Sequence, residues 1–141
     1  ETDKYPSWAK STGEKLIEAI RVQYPEKNFC VVRPGNIYGR YDNFENENAM
    51  VVTQLIRKGV REEEIEVWSD GKETRDFINA KDVARGMIQT MKYMPSGPIN
   101  LCSGKQTSIR EVAELIGKLC KKKVKYLNNT VKFVLGNGCN S

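Results

Sequence analysis

The apolar positions of this 141-residue chain change their spacing several times, and each change marks an element. Trp8, Ala9, Leu16, Ile17, Ala19, Ile20 and Val22 predict an amphipathic helix from Ser7 to about Tyr24. Pro6 stands at its start and Pro25 just beyond its end. Asn28-Phe29-Cys30-Val31-Val32-Arg33 is a nearly continuous apolar run rich in β-branched residues, which suits a strand buried on both faces of a parallel sheet. Pro34-Gly35-Asn36 breaks that run. The stretch from Tyr38 to Asn48 is polar and predicts a long loop, of the kind that binds ligands at the carboxyl end of a parallel strand.

Asn48 to Lys58 predicts a helix with Met50, Val51, Leu55 and Ile56 as its apolar stripe. Ile65-Glu66-Val67-Trp68 alternates and runs into Ser69-Asp70-Gly71, which predicts a strand and a hairpin whose second strand is Thr74 to Ile78. Ala80-Lys81-Asp82 opens a helix to about Tyr93, with Asp82 read as its N-cap. Pro95-Ser96-Gly97-Pro98 interrupts, Ile99 to Cys102 forms a short strand, and Ser108 with Glu111 gives a capping box for a helix through Cys120. Val124 to Leu127 predicts a last strand. The tail over 128–141 lacks a period and is expected to be frayed. Strands alternate with helices, so the fold class is α/β. No glycine-lined loop between a strand and a helix N-terminus is present, so a phosphate cradle of that kind is missing.

Composition narrows the classes. Apolar content of 39% with 29% charged residues is that of a globular protein, and no apolar run reaches the ~20 residues of a membrane span. The net charge of +5 is spread along the chain, and the lysines at 121, 122, 123 and 125 read as a solvated helix end rather than a nucleic-acid surface. The start at Glu1, without a charged-then-apolar leader, reads as a cut or processed end or the edge of an incomplete reading frame. Cys30, Cys102, Cys120 and Cys139 are far apart, and there is no histidine. That argues against structural zinc and removes the usual base of a serine or cysteine hydrolase. Cys30 and Cys102 lie in apolar runs and are read as buried thiols in a reducing cytoplasm.

Four segments, in order, resemble the NAD-dependent epimerase/dehydratase family, the extended short-chain dehydrogenase/reductases that act on nucleotide sugars. Trp8 to Glu14 is similar to the active-site helix around the lysine of YxxxK. Arg33-Pro34-Gly35-Asn36-Ile37-Tyr38-Gly39-Arg40-Tyr41-Asp42-Asn43-Phe44 is similar to RPxNxYGPxDNF, with Arg40 in place of the usual proline. Gly71 to Ala84 resembles G-x-x-x-RDFI-x-V-x-DVA, and Ile99 to Gly104 with Thr107 to Glu111 resembles the closing strand and helix. The resemblance covers roughly residues 5 to 120. It implies the carboxy-terminal part of a Rossmann-type doubly wound sheet plus a small α/β substrate-binding domain. Residues 1–39 would end the dinucleotide-binding domain, 40–95 would bind substrate, 96–127 would close the fold, and 128–141 would be a poorly ordered tail.

By that resemblance the reaction is transient hydride transfer at a sugar carbon with NAD or NADP. The partner is a nucleotide-sugar substrate, the whole protein is a homodimer, and neither nucleic acid nor membrane is engaged. Lys10 occupies the position that holds the nicotinamide ribose and lends positive charge to a catalytic tyrosine. Lys10, Pro34, Asn36 and Ile37 would contact the cofactor, and Asn36 and Arg75 the substrate. Without the resemblance, Lys10 reads as a solvent-facing lysine, Asn36 as a turn residue, Arg75 as a surface partner of Asp76 or Asp70, and Trp68 as core.

The chain departs from the pattern where the tyrosine should stand. Pro6 lies four residues before Lys10, and the nearest tyrosine is Tyr5. On a continuous helix, five residues turn a side chain about 140° from Lys10. Pro6 at the first helical position would instead leave Tyr5 on non-helical backbone, free to swing toward the site. Tyr5 is therefore either a displaced catalytic tyrosine or a sign that base catalysis is absent. Two further readings stay open: a reductase of non-sugar carbonyls, and a non-catalytic nucleotide-sugar-binding protein. This chain alone is expected to be inactive.

Overall fold

A computed structural model describes residues 4–45 and 49–127. The tail from Asn128 and the expected helix start at Asn48 lie outside the described residues. Among the described residues helices and strands alternate: α1 (Lys4–Gln23), β1 (Val32–Pro34), β2 (Asn36–Tyr38), α2 (Val51–Arg61), β3 (Glu64–Val67), β4 (Thr74–Asn79), α3 (Ala80–Tyr93), β5 (Ile99–Leu101), β6 (Gln106–Ser108), α4 (Ile109–Cys120) and β7 (Lys123–Tyr126). The fold is α/β, and β1–β5, β2–β4 and β3–β7 all pair in parallel. The chain folds as two compact units. One gathers the chain up to Arg40 with Asp76–Gln106, the other Tyr41–Arg75 with the chain from Thr107.

The second unit carries most of the buried apolar side chains. β3 alternates, so Ile65 and Val67 point inward and are buried with Leu55 of α2 and Ile109, Ala113 and Ile116 of α4. Ile65 is fully enclosed, and burying such a side chain stabilises by about 1.5–3 kcal/mol. The helix lies so close to β7 that a Cβ on Gly117 would stand 2.7 Å from Val124 Cγ2 and 2.9 Å from the Lys122 carbonyl, and only glycine fits there. α4 begins with the expected capping box: the Ser108 Oγ accepts from the Glu111 N–H, and Glu111 accepts from the Ser108 N–H at 2.7 Å.

The expected hairpin between β3 and the next strand does not form. β3 pairs with β7, Ile65 beside Val124 and Val67 beside Tyr126. The turn after β3 is held differently: the carbonyls of Asp70 and Gly71 accept from Arg110 at 2.6 and 2.9 Å, and Ile109 N–H donates to the Glu73 carbonyl. These bonds carry the chain toward the start of α4 instead of back along β3. Trp68, expected in the core, is 75% exposed, because the same alternation that buries Val67 turns Trp68 outward. Its ring lies 5.5 Å from the Lys58 Nζ.

In the first unit β1 pairs with β5, Val32 beside Ile99 and Pro34 beside Leu101. After Gly35 the chain pairs again, now as β2 beside β4, with Asn36 opposite Phe77. β2 replaces the start of the expected loop. α3 is capped by Asn79, whose Oδ1 accepts from the Lys81 N–H at 2.9 Å. Asp82, expected as that cap, sits in the first turn and accepts from Arg85 at 2.9 Å. The helix starts three residues earlier because Asn79, at the end of β4, already has the extended backbone that a cap requires. The thiols also differ from expectation: Cys30 is half-buried and Cys102 exposed, because Cys30 falls before β1 and Cys102 just after β5, outside the paired strands.

Candidate functional site

The first unit carries an open cleft of about 1070 Å³ between α1 and the segment that includes β1. Ser7, Lys10, Ser11 and Glu14 line it from the helix. Their spacing of three and four residues puts them on one helical face. Arg33, Pro34 and Gly35 line it from the strand and its end.

Polar contacts fix the cleft. Arg33 donates to Glu14 through two parallel bonds, Nε to Oε1 at 2.7 Å and Nη2 to Oε2 at 2.5 Å. Arg33 holds the Glu14 carboxyl below its ordinary range, chiefly through these hydrogen bonds, and Glu14 raises the guanidinium in turn. Both groups meet solvent, so the pair orients more than it stabilises. Lys10 has no ion-pair partner among the described residues.

The far end of the cleft is close-fitted. A Cβ on Gly35 would come 3.0 Å from the Asp76 carbonyl and 3.6 Å from the Cys102 Sγ. The Gly35 N–H donates to the Leu101 carbonyl at 2.9 Å. Asp76 accepts from the Ser103 and Gly104 N–H groups at 2.8 and 2.9 Å, holding the turn that follows β5. The Ser103 hydrogen bond is the main reason its carboxyl stays below the usual range.

The predicted site residues fall in different places. Lys10 and Pro34 face the cleft together. Asn36 and Ile37 follow on β2, Asn36 half-buried and Ile37 partly exposed. Arg75 belongs to the second unit, where its Nη1 donates to the Thr74 carbonyl at 2.9 Å and its Nη2 lies 4.0 Å from Glu73. The expected partners are engaged elsewhere, Asp70 with Lys72 at 3.0 Å and Asp76 with the turn after β5.

Tyr5 is the main correction. α1 begins at Lys4, so Tyr5 and Pro6 are both helical, and the free swing expected of Tyr5 is absent. Proline is tolerated in the first turn, where its missing N–H breaks no helical bond. Tyr5 is 84% exposed and turned about 140° from Lys10. Ser7, Ser11, Glu14 and Arg33 were not singled out from the sequence. Counting three and four residues either side of Lys10 would have found Ser7 and Glu14.

A model of the NAD dependent epimerase/dehydratase family matches residues 5–102. The chain belongs to this family. Among epimerase/dehydratase relatives, it is 33% identical over 115 residues to the dTDP-4-dehydro-6-deoxy-D-allose reductase of Streptomyces bikiniensis, covering 82% of this chain and 35% of the relative. It is 35% identical over 122 residues to the GDP-L-fucose synthase of Sinorhizobium fredii, covering 82% and 38%. Its fold is similar to that of a UDP-N-acetylglucosamine 4-epimerase from Methanobrevibacter ruminantium in complex with UDP-N-acetylmuramic acid, with a TM-score of 0.76 and 25% identity over 84% of this chain and 39% of that one. The chain thus spans well under half the length of these family members. The matched segment runs from α1 to the end of β5 and includes the whole lining of the cleft.

Proposed function

We propose that this chain is part of an NAD(P)-dependent nucleotide-sugar epimerase, dehydratase or reductase, and that the α1–β1 cleft receives the nicotinamide-ribose end of the cofactor. The observation that carries the reading is Lys10, an ammonium unpaired among the described residues, facing an open cleft beside the closely fitted Pro34–Gly35 segment. The donor set fits the group: an ammonium with three N–H donors beside two serine hydroxyls suits the hydroxyls of a ribose. When bound, NAD or NADP supplies the hydride acceptor and donor.

The chain's own residues bind and orient. Lys10 holds the ribose, and its charge favours the ionised form of any phenol brought near it, since a phenol titrates near 10 unaided. Pro34 lines the cleft, and Asn36 and Ile37, which follow on β2, are the further residues that would contact the cofactor. The Asn36 amide and the forked Arg75 guanidinium are each suited to diphosphate oxygens of a nucleotide sugar. Exposed Trp8 and Val22 on α1 support a homodimer in the whole protein. The free thiols Cys30, Cys102 and Cys120 support a reducing, cytoplasmic setting.

A second reading, a nucleotide-sugar-binding protein without redox chemistry, is favoured by one feature: Tyr5 faces away from Lys10, and Pro6 stands four residues before it. A thermal-shift screen with UDP-, GDP- and dTDP-sugars, each with and without NAD or NADP, tests both. A nucleotide sugar at a hundredfold excess over its Kd is expected to stabilise by about 2.7 kcal/mol, a rise of several degrees. A further rise with NAD or NADP supports the enzyme reading, and a rise with nucleotide sugar alone supports the binding reading. No shift with any ligand counts against both.

A further inference from the structure

We propose that Arg33 is a positioning residue for Lys10: by engaging both oxygens of Glu14, it keeps that carboxylate off the Lys10 ammonium and leaves the ammonium free in the cleft. Lys10 and Glu14 stand one helical turn apart on α1 and face the same cleft. At that spacing their Cβ atoms are about 5–6 Å apart, so local sequence alone makes Glu14 the partner of Lys10.

The structure pairs them otherwise. Both Glu14 oxygens accept from Arg33, at 2.7 and 2.5 Å, while Lys10 carries no ion pair among the described residues. Two effects favour Arg33. A planar guanidinium matches a carboxylate at two points, which an ammonium does not. Lysine placed before glutamate is also the weaker order for a helical pair. The same helix supplies a contrast: Lys15, with no competing arginine, pairs with Glu18 at 2.8 Å. Lys10, Glu14 and Arg33 are the charged residues that line the cleft. Two of them neutralise each other, and the cleft is left with one unspent cation.

The inference deepens the function proposed above, since a lysine already tied to a carboxylate would serve ribose hydroxyls poorly. Its test uses neither cofactor nor substrate, so the two can fail separately. The whole chain is acetylated with trace acetic anhydride at low ionic strength, where exposed charges are least screened. Peptide mass spectrometry then gives the labelling of Lys10 relative to the exposed Lys81, which is remote from Glu14 in the chain, and circular dichroism confirms the fold. Arg33→Met releases Glu14 to Lys10 and is expected to lower the ratio about twofold, the size of one exposed helical ion pair. The double variant Glu14→Gln/Arg33→Met is expected to restore the wild-type ratio. An unchanged ratio in Arg33→Met, or a double variant as low as the single, overturns the proposal; a merely structural arginine predicts the latter. If Arg33→Met does not fold, Arg33→Ala, which also leaves Glu14 without that donor, is the second variant, and the same fall in ratio is required of it.

Discussion

The β3–β7 pair with α2 and α4 is held by close packing, and the α1–β1 pair by directional polar contacts. In the first, Ile65 and Ala113 expose no surface, and Gly117 lets helix and strand meet without a side chain between them. In the second, no described residue of α1 or β1 is buried. Arg33 clamps Glu14 across the cleft, and Arg21 donates to the Ser96 carbonyl at 2.5 Å. The residues with chemistry to offer lie on the wetter pair. Apolar packing would hide an ammonium meant for a ligand, whereas an ion pair and a capped turn can orient the walls around it and leave it exposed.

That contrast can be broken most sharply at Ile65. Ile65→Ala removes a fully enclosed side chain and is expected to destabilise by about 2–5 kcal/mol in urea unfolding. A loss under about 1 kcal/mol would mean that this core collapses readily onto the gap.

A smaller, pH-dependent effect is expected on the polar side. Folding lowers the Asp76 carboxyl below its ordinary 3.8, so its contribution is present above that value and is lost as pH falls through the lowered native one. Asp76→Asn should therefore melt below wild type near neutrality, and the two curves should converge as acid protonates the wild-type carboxylate. A gap that persists unchanged into acid would show that the turn after β5 is held by something other than this charge.

The smallest effect belongs to α1 itself. Leu16 is 59% exposed, and Leu16→Ala is expected to shift stability by no more than about 0.5 kcal/mol. A loss of several kcal/mol would mean that Leu16 is packed within the chain and would erase the contrast.

Legibility followed the same divide. The start of α4 was readable because a capping box is a contact between residues three apart, Ser108 and Glu111. The alternation of Ile65 and Val67 correctly marked a strand, yet its partner was misassigned. Ser69-Asp70-Gly71 has the composition of a hairpin turn, and nothing local reveals that Arg110 takes up its carbonyls. Asn79 was passed over as a cap because it also ends β4, and strand and cap share the same extended backbone. The four family-like segments led to the fold class and to Lys10. The Glu14–Arg33 clamp stayed hidden, because its members are 19 residues apart and only the packing of helix on strand brings them together. The expected helix start at Pro6 differs for another reason: a proline in the first helical turn does not mark where the helix begins.

The pairing of β3 with β7 also bears on how the protein is made. The two strands lie roughly 60 residues apart in the chain. At ribosomal rates of about 5–20 residues per second, β3 waits about 3 to 12 s for its partner. Through that interval Ile65 and Val67 sit on a nascent strand with α2 made but neither α4 nor β7 yet there to cover them. A short pulse of synthesis is thus a window for misassembly, and Glu64 and Glu66, placed on either side of Ile65, are the charges that would keep such a strand from pairing with its neighbours on other ribosomes.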